Sequence, residues 1–137
     1  MAISRLIIDT SAYAAFKRGH PEVIDVIQGA RSILIPSVVL GELLAGFEAG
    51  KHRQKNRAEL KEFQKSSRVS LVWVTDETAE RYAHIYAYLR KAGKPVPTNN
   101  LWIASSTMEH GAVLLTLDAH FMNMPQIAVT HFTREGL

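Results

Sequence analysis

The stretch LIIDTSAY, residues 6–13, sets three large apolar residues in a row and ends them at a carboxylate. Leu6, Ile7 and Ile8 do not alternate with polar residues, as they would in a strand with one wet face. A short continuous run is the pattern of a strand buried on both faces. The pattern recurs at Ile33-Leu34-Ile35, Leu71-Val72-Trp73-Val74, Val113-Leu114-Leu115 and Ile127-Ala128-Val129. Helical stretches lie between. Pro21 opens one that reaches Ala30, and Ser37 caps another that reaches about Gly50. The segment after Lys51 is read as helical. Asp76 to Ala92 carries Ala79, Tyr82, Ala83, Tyr86 and Leu89 at helical spacing, with Gly93 as its stop. Leu101 to His110 forms the last long one, with Asn99 as its cap. Alternating strands and helices predict an α/β protein, a three-layer α/β/α sandwich with a mainly parallel sheet of four to five strands. No repeat, low-complexity tract or linker interrupts residues 1–137, which are read as a single domain.

The composition is that of an ordinary globular chain, 47% hydrophobic and 21% charged. No apolar run approaches the roughly 20 residues of a membrane span, and the N-terminus has no signal-peptide pattern, so the expected compartment is the cytoplasm. Without cysteine there is neither a disulfide nor a thiolate zinc site. The net charge of +3 is mild but unevenly placed. Lys51, Arg53, Lys55, Arg57, Lys61, Lys65 and Arg68 face only Glu59 and Glu62, giving that segment +5 and leaving −2 for the rest. Such a block is either a solvated helix or a surface for an anionic partner. If it meets phosphates, the contacts are Lys51, Arg53, Lys55 and Arg57.

In sheets of this kind ligands bind outside the carboxyl ends of the strands. Asp9 directly follows the first strand, and Asp118 stands just past the fourth, in VLLTLDAHF. Either alone reads most simply as a helix cap or turn residue; two at one sheet edge point to a site. Glu42 lies inside the helix after the second strand, with Val38, Val39, Ala45 and Gly46 around it. A carboxylate in apolar company is costly unless paired or metal-bound. Asn100 opens the helix of KPVPTNNLWIASSTMEHG, residues 94–111, and reaches the same edge. No Lys or Arg interleaves these motifs, so the carboxylates would repel one another without a cation. Oxygen-only ligands suit Mg²⁺ or Mn²⁺, whose natural chemistry here is phosphodiester hydrolysis. Thr10, Ser11 and Thr116 place hydroxyls beside the acids, either to bind water or phosphate or to cap helices. The histidines, at positions 20, 52, 84, 110, 120 and 131, show no metal-ligand spacing and are read as mostly superficial.

LIIDTSAY, VVLGELLAG, PTNNLWIASSTMEHG and LLTLDAHF resemble, in order and spacing, the four acidic motifs of PIN domains, and most closely those of VapC-type toxin ribonucleases. The resemblance implies that Asp9, Glu42, position 100 and Asp118 are the catalytic set. Asp9, Asn100 and Asp118 would hold the metal. It further implies an RNA substrate, a homodimer and a cognate antitoxin. One departure stands out. Where the family reads Asn-Asp, this chain reads Asn99-Asn100. An isosteric change at one acid, with the other three in place, fits a deliberate substitution better than natural decay, and implies an impaired enzyme. The alternative is a PIN-like domain that only binds RNA or protein. A haloacid-dehalogenase-type phosphatase is disfavoured because Ser11 stands where its second Asp belongs. There is no phosphate-binding Gly-rich loop, and no nucleophile elbow surrounds Ser105 or Ser106.

Overall fold

The computed structural model describes residues 2–134. The apolar runs become five parallel strands of one sheet: β1 (Arg5–Ile8), β2 (Ser32–Pro36), β3 (Val69–Val72), β4 (Val113–Thr116) and β5 (Ala128–His131). Their spatial order is β3-β2-β1-β4-β5. Leu6, Ile7, Ile8, Ile33, Ile35, Leu114 and Leu115 are fully buried, as continuous apolar strands require. Six helices cover the sheet: α1 (Thr10–Lys17), α2 (Pro21–Gly29), α3 (Ser37–Ala49), α4 (Arg53–Gln64), α5 (Asp76–Ala92) and α6 (Thr98–Glu109).

The chain winds outward from β1 through β2 to β3, then crosses back past β1 to form β4 and β5. Right-handed crossovers put the helices of the outward steps on one face and α5 and α6 on the other. The winding reverses between β1 and β4, and the crevice between their carboxyl ends is the ligand position of such a sheet. Register sets the neighbours there. Ile8 pairs with Leu115, so Asp9 comes level with Thr116. The Asp9 amide donates to the Leu115 carbonyl at 3.4 Å.

Local chemistry explains the helix ends. Thr75 and Thr78 form a reciprocal capping box at the start of α5, and Gly93 ends it in the left-handed region at φ 67°. Gly19, at φ 87°, closes α1, where the His20 amide reaches back to the Ala15 carbonyl at 3.0 Å. Arg68, the last residue of the basic run, donates to the carbonyls of Ile27 and Ala30, so it secures the end of α2.

Several boundaries differ from the sequence expectation. Helix α1 was not anticipated; Asp9 is its N-cap, and it has only eight residues. Strand β3 lies two residues earlier than its apolar run, because pairing with β2 starts at Val69 and leaves Trp73 and Val74 beyond the sheet, exposed. Strand β5 lies slightly later, ending at His131 rather than Val129. Ser37 is the first residue of α3, after an N-cap at Pro36. Likewise α6 begins at Thr98 after an N-cap at Pro97, so Asn99 caps nothing. Both Asn side chains are thereby released for other partners.

Candidate active site

Asp9 is 4% exposed, and its carboxylate does structural work before any other. Oδ1 accepts the Ala12 N–H at 2.8 Å, which caps α1, and the Ser11 hydroxyl at 2.7 Å. Oδ2 accepts the Thr116 hydroxyl. Burial pushes the carboxyl above its ordinary value; the three donors oppose that, and nearby Asp118 adds to it.

Thr116 links the two aspartates. Its hydroxyl donates to Asp9 and accepts the Asp118 N–H at 2.9 Å. Asp118 Oδ2 accepts the Asn100 amide at 3.0 Å, and Oδ1 accepts the His120 N–H and faces the His120 Nδ1, each at 2.9 Å. Partial burial raises the Asp118 carboxyl, but the His120 backbone, the Asn100 amide and the His120 ring together outweigh it, and the group sits below the ordinary range.

Glu42 enters from α3. Its Oε1 accepts the Thr10 hydroxyl at 2.7 Å and its Oε2 the Asn99 amide at 3.1 Å. The two adjacent amides of α6 therefore serve one acid each: Asn99 holds Glu42 and Asn100 holds Asp118. Glu42 is half-buried, while Ala45 and Gly46 are exposed, so its company is less apolar than the sequence implied.

Asp9, Glu42, Asn100 and Asp118 line one cleft of about 320 Å³ at the carboxyl edge of the sheet. Of the hydroxyls, Thr10 bonds Glu42, while Ser11 and Thr116 bond Asp9. Lys51, Arg53, Lys55 and Arg57 are not part of this cleft. They lie at the far end of α3 and the start of α4, and Arg53 and Arg57 both pair with Glu48. Tyr13 is core, edge-on to Phe63, and Trp102 stacks on Tyr82 at 4.2 Å. Three residues at the site escaped the sequence reading: Arg18 and Arg134, which line the cleft, and His120. His20 is the exception among the histidines, fully buried. The Asp118-x-His120 spacing was the only local signal among them.

Among the described residues no group of three or more His, Asp or Glu side chains converges closely enough to hold a metal, and the third position is an amide. An Asp in place of Asn100 would set two acceptor-only carboxylates face to face across the present 3.0 Å contact. That arrangement calls for a cation or a shared proton. The surrounding donors are carboxylate, amide and hydroxyl oxygens, the set a hard ion such as Mg²⁺ or Mn²⁺ takes. In donor chemistry, though not in a convergence of three acids, the residues fit such an ion.

A parallel α/β/α sandwich with a carboxylate cleft at its switch point is the class that fold and site define. The PIN domain family matches residues 6–126, and this chain belongs to it. Among curated relatives, Ribonuclease VapC4 of Mycobacterium tuberculosis is 28% identical over 131 residues, covering 94% of this chain and 98% of its own length. Ribonuclease VapC2 of Haemophilus influenzae is 27% identical over 89 residues, 65% of this chain and 66% of its own. Among solved structures, VapBC2 from Rickettsia felis, bound to a DNA fragment from its promoter, superposes with a TM-score of 0.83 at 23% identity, covering 93% of this chain and 98% of that one. No helix among the described residues is long and apolar enough to cross a membrane.

Proposed function

We propose that this chain is a Mg²⁺- or Mn²⁺-dependent endoribonuclease of the toxin–antitoxin type, and that Asn100 leaves it impaired. The observation that carries the reading is the Asn100–Asp118 hydrogen bond of 3.0 Å, an amide donor set against a carboxylate within an acid-lined cleft. The PIN family and the ribonuclease relatives support the chemistry. Asp9, Asp118 and the side chain at position 100 would hold the ion. When bound, it supplies charge stabilisation on a phosphate oxygen and an acidified water. Thr116 keeps Asp9 and Asp118 at a fixed separation. Glu42, oriented by Thr10 and Asn99, accepts the proton of the attacking water. Lys51, Arg53, Lys55 and Arg57 are a second, outlying contact for the RNA strand. The chain works in the cytoplasm as a homodimer, for which Tyr86 and Tyr88 on α5 supply exposed aromatic area, and its partner is a cognate antitoxin, a reading supported by its likeness to VapBC-5 from Mycobacterium tuberculosis, a member of the VapBC family of toxin–antitoxin systems.

The test compares the chain with its Asn100→Asp variant at equal concentration, on RNA, in Mn²⁺ and in EDTA. The variant cleaves at least a hundredfold faster in Mn²⁺ and loses the activity in EDTA, the scale of a lost charge-stabilising group, roughly 3 kcal/mol. Asp118→Asn on that background abolishes it again. Equal activity of the two proteins overturns the role of position 100. If neither cleaves but both bind RNA, the chain is a binding domain.

A further inference from the structure

The acids of the cleft are bordered by two guanidinium groups, Arg18 and Arg134, from opposite ends of the chain. Both residues are exposed, and neither forms an ion pair with a described carboxylate, although Asp9, Glu42 and Asp118 line the same cleft. Their placement is built in. Ser11, Ala14 and Arg18 follow at i, i+3 and i+7, one face of α1, and all three line the cleft. That puts Arg18 about 10 Å along the helix from Ser11. The tail arrives from β5. The Phe132 N–H donates to the Thr116 carbonyl at 3.1 Å, and the Thr133 carbonyl accepts from His20 Nε2 at 2.9 Å. His20 is fully buried, its Nδ1 accepts the Val23 N–H at 3.4 Å, and its ring packs on Phe132. The corner 18–20 and the tail 132–134 are thus stitched together, with one arginine on each.

We infer that Arg18 and Arg134 together form a phosphate clamp at one rim of the cleft, gripping the RNA backbone beside the scissile bond. An arginine serving as a plug for empty acids would pair with them at salt-bridge distance. These two stand beside the acids with their donors free among the described residues, as a site that receives an anion requires. Guanidinium groups suit the role, because they present planar bidentate donors to phosphate and stay charged. His20 is the positioning residue, holding the tail that carries Arg134. The clamp deepens the ribonuclease reading, and rests on it for the position of the scissile bond but not for RNA binding itself.

The experiment measures binding of a short fluorescein-labelled single-stranded RNA of mixed sequence by anisotropy, in EDTA, over a KCl series. The full chain carrying Asn100 is used, so no cleavage intervenes. Arg18→Ala and Arg134→Ala each weaken binding roughly tenfold, the scale of one charged hydrogen bond. Each also lowers the log–log salt slope by about 0.7. Arg18→Lys and Arg134→Lys keep the slope and lose part of the affinity, and thermal unfolding is unchanged in all four variants. On the Asn100→Asp background the alanine variants raise KM for RNA while Mn²⁺ affinity stays the same. Unchanged binding and slope in both alanine variants overturn the clamp, as do tighter Mn²⁺ binding or faster cleavage, which define a plug. If the Asn100→Asp variant fails to cleave while the slopes fall as stated, the ribonuclease reading fails and the clamp stands.

Discussion

Burial pushes the Asp9 carboxyl above its ordinary value of 3.8, and the Thr116, Ser11 and Ala12 donors offset this only in part. A carboxyl whose folded pKa lies above its unfolded one destabilises the fold once ionised. That cost is fully present above the folded pKa and disappears as pH falls through it toward 3.8. Asp9→Asn is therefore expected to raise the Tm of the metal-free protein at pH 7, by roughly 3 °C, the size of an ordinary single-site effect in a domain like this. The gain shrinks to nothing as the pH approaches 3.8. Calorimetry over a pH series in EDTA checks it. A lower Tm at pH 7 would mean that capping of α1 outweighs the buried charge. On the proposed function the same substitution would also remove a metal ligand, so stability and activity would move in opposite directions, as is common at functional sites. Asp9, Glu42 and Asp118 were legible in the sequence because a carboxylate that ends or interrupts an apolar run is conspicuous. Arg18 and Arg134 were not, because an exposed arginine has no pattern of its own; only the folding back of the tail onto His20 reveals what they border.

Helix α4 and the turn before it carry five of the seven basic residues between positions 51 and 68, yet their charge is partly compensated within the protein. Arg53 and Arg57 share Glu48, at 3.4 and 3.7 Å, and Lys17 takes Glu59 at 2.8 Å. Lys51 and Lys55 have no ion-pair partner among the described residues. The double substitution Lys51→Gln with Lys55→Gln is therefore expected to lower the salt slope of RNA binding by about 1.4, two contacts at about 0.7 each. Replacing Arg53 and Arg57 instead lowers it less. No change with the lysine pair would reduce the segment to a solvated surface. The helical character of this stretch was legible, but the role of Arg68 as a tether for α2 was not, since nothing local distinguishes it from its neighbours. Strand boundaries failed for a related reason. The run Leu71-Val72-Trp73-Val74 is apolar throughout, and hydrophobicity alone cannot say where β2 ends and pairing stops. The short α1 was hidden because Asp9, Thr10 and Ser11 read as site residues, although an N-cap followed by three alanines is also a helix start.

At the scale of the molecule, strand order converts four distant motifs into one site. β1 and β4 are adjacent at the point where winding reverses, so Asp9 and Asp118 meet although 109 positions separate them in the chain. α3 and α6 then bring Glu42, from the second turn of its helix, and Asn100, from the first turn of its own, to the same edge. Strand–helix alternation was enough to foresee the layers and the parallel sheet, and the carboxyl-end rule was enough to place the cleft. The central claim is that this cleft is a divalent-metal site weakened by a single amide. Mn²⁺ binding followed by electron paramagnetic resonance tests it most directly, on the chain as it stands and on Asn100→Asp, without reference to any RNA. The account predicts that the variant binds Mn²⁺ more than tenfold more tightly, the scale on which changes around a metal ligand act. Equal affinity in the two proteins, or binding that survives Asp9→Asn and Asp118→Asn together, would contradict it.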